Sequence, residues 1–249
     1  ICVTTVLLET GMVPMTEPET IVRLDTAAGL VTATARCEGG KCIDVTLSMV
    51  PSFVEALDVE IPYMDQTIKA DIAFGGDYYG IVDVQQLGME IAPQNAHLLF
   101  DIGVDLVTRL NQQYSVQHPM YASLNKISYV MFRNIDGALV QTCTTLKPGR
   151  CDRSPCGTGS SANLATMFAR KQVEVGDSLT SQSIIGSQFD VLLEDTTTIA
   201  DKTAVLPKVT GRAWIYGTQQ LMVDPTDPFK QGFTLSDTWG RFINEITQA

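Results

Sequence analysis

The run Cys151-Asp152-Arg153-Ser154-Pro155-Cys156-Gly157-Thr158-Gly159-Ser160-Ser161-Ala162 admits few local structures. Pro155 disfavours helix at Ser154 and suits the opening of a helix just beyond it. Gly157 and Gly159 remove side chains where a ligand would come close to the backbone. Ala162, Leu164, Ala165, Met167, Phe168 and Ala169 then form a helical segment too apolar for a surface helix. Cys156 is therefore expected at the N-terminus of a buried helix, among unpaired N–H groups that favour negative charge. A helix N-terminus is one environment that lowers a cysteine pKa, and the thiolate is the reactive form. The same N–H groups can hold a carboxylate. Together they point to proton removal beside a carboxylate, as at the α-carbon of an amino acid. Taken in isolation, the same residues equally describe a buried structural cysteine at a glycine-rich turn.

The 249 residues allow one large domain or two smaller ones, and 45% hydrophobic against 18% charged residues describes a globular chain with ample core. A formal net charge of −11 argues against nucleic acid as a partner and, more weakly, against an anionic membrane surface. A local nest of N–H groups can still bind a small anion. No apolar run reaches the length of a membrane helix. Ile1 to Leu8 is apolar but has neither a basic leader nor a cleavage site. Cytoplasmic location is the default expectation, with a secretory leader left open because the N-terminus looks absent. Of six cysteines (Cys2, Cys37, Cys42, Cys143, Cys151, Cys156) none forms a paired Cys-x2-Cys knuckle, and with two histidines no metal site is expected. Cys37 and Cys42 flank the loop Glu38-Gly39-Gly40-Lys41 and are expected as reduced neighbours in a hairpin. Cys151, five residues before Cys156, is a less favoured redox partner for it.

Ile1 opens the chain without methionine and already inside a helical apolar pattern (Val3, Val6, Leu7), as in a fragment of a longer chain. Gly11 is placed to end that helix. Strands are expected at Thr20–Leu24, Gly29–Arg36 and Ile43–Met49, a hairpin at Val59–Tyr63 and Thr67–Phe74, and a strand at Tyr78–Val82 after Gly75-Gly76. Tyr78 and Tyr79 read as ordinary strand packing, or as one tyrosine walling off an active site. Asn95–Tyr114 repeats apolar residues at helical spacing. His118 is a candidate acid or base, though a structural role is favoured, and His97 is weaker still. Strands at Ser128–Arg133 and Leu139–Leu146 turn at Asp136-Gly137. After the Cys156 helix come strands near Ser178–Ile184, Phe189–Glu194, Ala204–Val209 and Arg212–Gly217. A loop-like tail and a short helix at Trp239–Ile246 complete the chain.

The Cys156 run resembles the second-cysteine signature of the proline racemase and hydroxyproline 2-epimerase family. Five further blocks are similar, in the family's order: Glu9 to Pro14, Arg23 to Val31, Asp71 to Tyr79, Ser183 to Phe189 and Asp224 to Phe229. The resemblance implies an α/β (α+β) fold of two pseudo-symmetric domains, each a mostly antiparallel or mixed sheet wrapped around a central helix, diaminopimelate-epimerase-like. With the domain change placed where the strand pattern gives way to a connector around Asp83 to Pro93, the chain divides into 1–88, the remainder of a first domain; 89–225, a second domain carrying Cys156; and 226–249, a C-terminal tail. The resemblance also implies a cofactor-independent isomerase that inverts the α-carbon of proline or 4-hydroxyproline with two cysteines, one as thiolate and one as thiol. Cys156 matches the second thiol. Gly157 and Thr158 match the groups that hold the substrate carboxylate. Asp152 matches the acidic residue contacting the ring nitrogen, although alone it reads as a helix cap or a partner of Arg150 or Arg153. Leu146 and Phe189 are expected to line the pocket. Relatives carry the first cysteine in a Met-Cys-Gly-His context just upstream of the segment like Ile1–Pro14. This sequence lacks it, and Cys2, with no glycine after it, is no substitute. Two alternatives stand beside the racemase: a trans-3-hydroxyproline dehydratase-like lyase, whose members resemble Thr at the Cys156 position, and an inactive fragment. The partners implied are a small imino acid and a second copy in a homodimer.

Overall fold

The computed structural model describes residues 1–26, 29–147 and 150–233. The expected helix at Trp239–Ile246 and most of the expected tail lie outside the described residues. Helix α1 (Cys2–Glu9) is ended by Gly11 at φ 74°. It packs on an antiparallel meander of β1 (Glu19–Thr26), β2 (Gly29–Glu38) and β3 (Lys41–Ser48), in which Cys37 and Cys42 face each other as free thiols. The chain continues through β4 (Ser52–Tyr63), β5 (Gln66–Phe74), β6 (Tyr78–Asp83), two 3-10 turns (Val84–Leu87 and Pro93–Asn95), α2 (Ala96–Gln113), β7 (Ile127–Asp136), β8 (Leu139–Leu146) and β9 (Arg150–Cys151). Then come α3 (Gly157–Ala169), β10 (Ser178–Ser183), β11 (Gln188–Ile199) and β12 (Lys202–Gly211).

One 12-stranded mixed sheet has the order β1-β2-β3-β12-β11-β10-β8-β7-β6-β5-β4, with β9 on β8. Strand β4 also pairs with β12 at Phe53↔Ala204 and Ser52↔Val205. Strands β4 to β8 and β10 to β12 thus close into a ring. Its two parallel pairs, β6–β7 and β8–β10, are those whose connections contain α2 and α3, as parallel neighbours need a crossover. Helix α2 covers the outside of the ring and α3 fills the inside. The expected division between residues 88 and 89 falls within this ring, between the paired β6 and β7.

The period of two along each strand sorts side chains between the helices. Ile68, Ala70, Ile72 and Phe74 of β5 and Tyr78 and Val82 of β6 pack outward with Leu99, Ile102, Leu106 and Leu110 of α2. Ala73, Tyr79, Ile81 and Met131 face inward, with Cys156 and Ala162. Two glycines in the first turn cost α3 about 1 kcal/mol each against alanine. Complete burial of Leu164 and of Met167 (0% and 3% exposed) returns roughly 1.5–3 kcal/mol apiece. Packing, not propensity, makes this helix.

An ionic cluster fixes the far end of α3. Arg133 (β7), 3% exposed, donates to Asp71 Oδ2 at 3.1 Å, Asp83 Oδ1 at 2.7 Å, Asn163 Oδ1 at 2.9 Å and Thr166 Oγ1 at 2.7 Å. Arg170, the C-cap of α3, reaches Asp71 Oδ1 at 2.6 Å and Asp58 Oδ1 at 3.0 Å. Helix α3 is thereby held against rotation inside the ring.

Two expectations are corrected. Arg212–Gly217 is not a strand: β12 makes its last pairing at Gly211, and the alternating residues beyond it meet no partner ladder. Trp214 instead lies exposed beneath the Arg212 guanidinium, 5.4 Å from its ring centre. Strands β4 and β11 are longer than their apolar cores, because the charged and Thr-rich stretches at 55–60 and 194–198 still pair across the sheet.

Asp71→Ala removes the buried carboxylate that Arg133 and Arg170 share and leaves Arg133 only the half-exposed Asp83 carboxylate, and loss of one partner of a buried pair costs about 3–5 kcal/mol. At roughly 2–4 °C per kcal/mol for a chain of this size, the melting temperature should fall on the order of 10 °C by circular dichroism. A shift below 2 °C would show that the cluster does not secure α3.

Candidate active site

Strand β8 and the two-residue β9 aim the loop at 152–156 back across the ring, with the Asp152 N–H bonded to Thr144 O at 2.9 Å. Cys156 is the N-cap of α3 at φ 65°, ψ 101°. A non-glycine residue there carries strain on the order of 1–3 kcal/mol, a cost tolerated where the surroundings fix the geometry. The surroundings do so. A Cβ at Gly159 would meet Met131, lie 3.1 Å from the Cys156 sulfur and 3.2 Å from the Tyr79 ring. A Cβ at Gly75 would strike Thr158 O and Ala162 N, and one at Gly76 would lie 2.7 Å from Thr158 Cγ2. The β5–β6 turn therefore lies directly against the first turn of α3, which only glycine permits.

The sulfur has a defined set of neighbours. Tyr79 Oη lies 3.4 Å from Cys156 Sγ and 2.7 Å from Thr158 Oγ1, and Thr158 Oγ1 is 3.8 Å from the sulfur. The Gly159 N–H also points at it. The Thr144 hydroxyl, buried and otherwise unpartnered, is turned to it as well. The first intrahelical bond of α3 runs from Ser160 N–H to Cys156 O at 2.8 Å. Among the described residues, the Gly157 and Thr158 N–H groups have no protein acceptor. Two main-chain donors thus stand free beside the thiol.

Burial is the strongest influence on Cys156 and pushes its thiol up, and the Asp152 carboxylate adds to that. Hydrogen bonds from Tyr79, the Gly159 N–H and Thr144 act in the opposite direction without winning. The expectation that the helix N-terminus lowers this pKa is therefore corrected, because desolvation outweighs the helix end. Cys156 rests as a thiol, a proton donor. Asp152, half-buried, is also raised, chiefly by burial, against its bond with Cys156 and the charge of Arg150. Tyr79 is held far above the usual tyrosine range by burial and the neighbouring sulfur, so its hydroxyl stays neutral. Its ring packs tilted against that of Tyr129, with centres 5.3 Å apart.

The structure brings Cys156, Asp152, Gly157 and Thr158 to one place. Leu146, half-buried, shares the inward face of β8 with Thr144, one step nearer the rim. Phe189 pairs with Ser181, whose hydroxyl is 2.9 Å from that of Ser160 in α3. The Phe189 ring and the Ile1 side chain both close on the backbone of Gly211, which brings the start of α1 to the same rim. No described contact joins Leu146 or Phe189 to the sulfur. Of the tyrosine pair, Tyr79 belongs to the site and Tyr78 to the outer core. His118 is structural: Nδ1 accepts from Met120 N–H at 3.1 Å, its ring packs on Phe53 and Phe74, and burial lowers its pKa. Thr144 escaped the sequence reading, having nothing but its alternation on β8 to mark it. Among the described residues, no group of three His, Cys, Asp or Glu side chains could hold a metal ion, and no helix is long and apolar enough to cross a membrane.

Known proteins resemble this chain along nearly its whole length. The chain is 53% identical over 248 residues to the 4-hydroxyproline 2-epimerase of Allorhizobium ampelinum, covering 99% of this chain and 72% of that protein. The crystal structure of a hydroxyproline epimerase from Agrobacterium vitis, with bound trans-4-hydroxy-L-proline, superposes with a TM-score of 0.91 at 53% identity, covering 96% of this chain and 70% of that one. A probable proline racemase from Agrobacterium radiobacter, with bound carbonate, gives a TM-score of 0.91 at 50% identity over 98% and 73% of the two chains. Residues 1–234 match the proline racemase family, and the chain belongs to it.

Proposed function

We propose that this chain is an isomerase that inverts the α-carbon of 4-hydroxyproline or proline without a cofactor, with Cys156 serving one face of the substrate. The observation that carries the reading is the thiol beside two unclaimed main-chain donors. The Gly157 and Thr158 N–H groups hold the substrate carboxylate, and their bonds strengthen as charge spreads onto it in the carbanion-like transition state. Asp152 takes the ring ammonium in a charge-assisted bond. Cys156, resting protonated, delivers its proton to Cα when the base on the other face has removed one; for the opposite hand the roles exchange. Tyr79, Thr144 and the Gly159 N–H support the thiolate that this leaves. The resemblance assigns the opposing thiol to the segment upstream of Ile1–Pro14, and the meeting of Ile1 with Phe189 and Gly211 supports that side of the cleft. A dehydratase is not favoured, since Cys156 stands where those lyases resemble Thr. A homodimer completes the reading, supported by the exposed apolar residues Trp214, Tyr216, Leu221, Met222 and Phe229 after β12.

In deuterated water, trans-4-hydroxy-L-proline should gain deuterium at Cα and lose its configuration with a chain that also carries the relatives' upstream segment. Cys156→Ser should reduce exchange at least about a hundredfold, the range of a lost acid–base group. A folded extended chain that exchanges nothing would end the proposal. Tyr79→Phe removes a hydrogen bond to a charged sulfur, about 1.5–3 kcal/mol, and should move the pH profile of Cys156 alkylation up by roughly one to two units. An unmoved profile would make Tyr79 mere packing. Light scattering should report twice the 27.1 kDa chain mass, and a monomer at high concentration would remove the dimer from the reading.

A further inference from the structure

Two thiols that the acid–base chemistry does not use meet on the other face of the sheet. On β8, Thr142 and Thr144 face α3, so Cys143 and Thr145 face α2. Cys151 lies opposite Thr145 in register and points the same way, packing against the outer core that contains Cys143. Cys143, 1% exposed, stands two residues along β8 from Thr145, diagonally across from Cys151 on the same face. The Cys151 S–H donates to Ala96 O at 3.5 Å. Their surroundings differ sharply. Cys143 is sealed among Leu99, Ile102 and Phe132. Cys151 is half-buried and lines a cavity of about 270 Å³, together with Arg150, Arg153, His97 and the apolar Phe100 and Ile184. Interaction between the two thiols holds that of Cys151 below its usual range, against burial and the Asp152 charge, and pushes that of Cys143 far up. A thiol that opens to a cavity beside two arginines, with a second cysteine on the same face of the sheet, has the environment of a redox-active cysteine rather than a structural one.

We propose that Cys151 and Cys143 form a redox pair, separate from Cys156, that a hydroperoxide entering this cavity oxidises to an intrachain disulfide. The Cys151 thiolate attacks one peroxide oxygen, the O–O bond breaks, and the departing oxygen takes a proton and leaves as an alcohol or water. Cys151 is left as a sulfenic acid. The Cys143 sulfur then attacks the Cys151 sulfur, the S–O bond breaks, and the hydroxyl leaves as water with the Cys143 proton. Two thiols lose two electrons and the peroxide gains them. Because Cys151 stands opposite Thr145, closing the bond draws β9 toward Cys143 and moves Asp152, the next residue, away from Cys156. Oxidation therefore switches off the site reversibly. Only this last consequence rests on the proposed isomerase activity; the disulfide does not.

The test treats the whole chain with hydrogen peroxide, blocks remaining thiols with iodoacetamide, and maps linkages by mass spectrometry after cleavage at Arg150. The expected product is a Cys143–Cys151 bond that dithiothreitol reverses, formed at least about tenfold faster than oxidation of Cys156. Cys143→Ser should give no link and a Cys151 sulfenic acid trapped by dimedone. Cys151→Ser should give neither. Oxidation that begins at Cys156 while Cys143 and Cys151 stay reduced would overturn the pair, as would a Cys143→Ser chain in which dimedone does not label Cys151. The wild-type measurement needs no variant to fold. A linked chain that still exchanges the substrate α-proton would remove the switch and leave the redox pair.

Discussion

The first turn of α3 lies so near the β5–β6 turn that a Cβ at Gly75 would collide with Thr158 O and Ala162 N. That close approach needs three things at once: glycines on the turn, a ring of strands that closes through the β4–β12 pairing, and a helix apolar enough to be swallowed. Its result is a helix end in a dry place. Among the described residues two of its N–H groups lack a protein acceptor, a third points at a sulfur, and the cysteine carrying that sulfur is held in a conformation it would not choose alone. An end in this state gains from a carboxylate in a way that a solvated helix end does not, because an N–H···carboxylate bond strengthens as water is excluded.

Dryness also sets the proton. Desolvation raises Cys156 and Asp152 together, so the empty site holds a thiol beside a carboxyl group whose charge is disfavoured. A zwitterionic imino acid is what such a site lacks: its ammonium offsets the Asp152 charge and its carboxylate occupies the free amides. Tyr79 fits this account, since a neutral hydroxyl shared between Thr158 and the sulfur can follow the sulfur through both protonation states. The Arg133–Asp71–Arg170 cluster does the corresponding work at the other end, fixing how α3 is turned and hence where its first residues point.

The strand period keeps two sulfur chemistries apart. Thr144 and Cys143 are chain neighbours, yet one faces the Cys156 thiol and the other faces α2, with the sheet between them. The same alternation separates Tyr79 in the site from Tyr78 in the core. A strand is a partition, and adjacent residues serve opposite compartments.

Much of this was legible without coordinates. Pro155, the glycines after it and the apolar run beyond determine a buried helix that starts at Cys156, because those residue types permit little else locally. The strands β1 to β3, β5 to β8 and β10, and helix α2, follow from periods of 2 and 3.6. What local pattern cannot supply is which elements meet. Arg212–Gly217 alternates like a strand but finds no ladder, since pairing is a property of the partner. Tyr79 and Thr144 join the site only because β6 and β8 lie on either side of β7 around α3. Cys151 shares a face with Cys143, not with Cys156, because the strand pleat and not chain distance decides which compartment a sulfur enters. The sign of the Cys156 pKa was likewise a tertiary matter: a helix end favours the thiolate wherever it occurs, but only the closed ring decides how much water is left to solvate one.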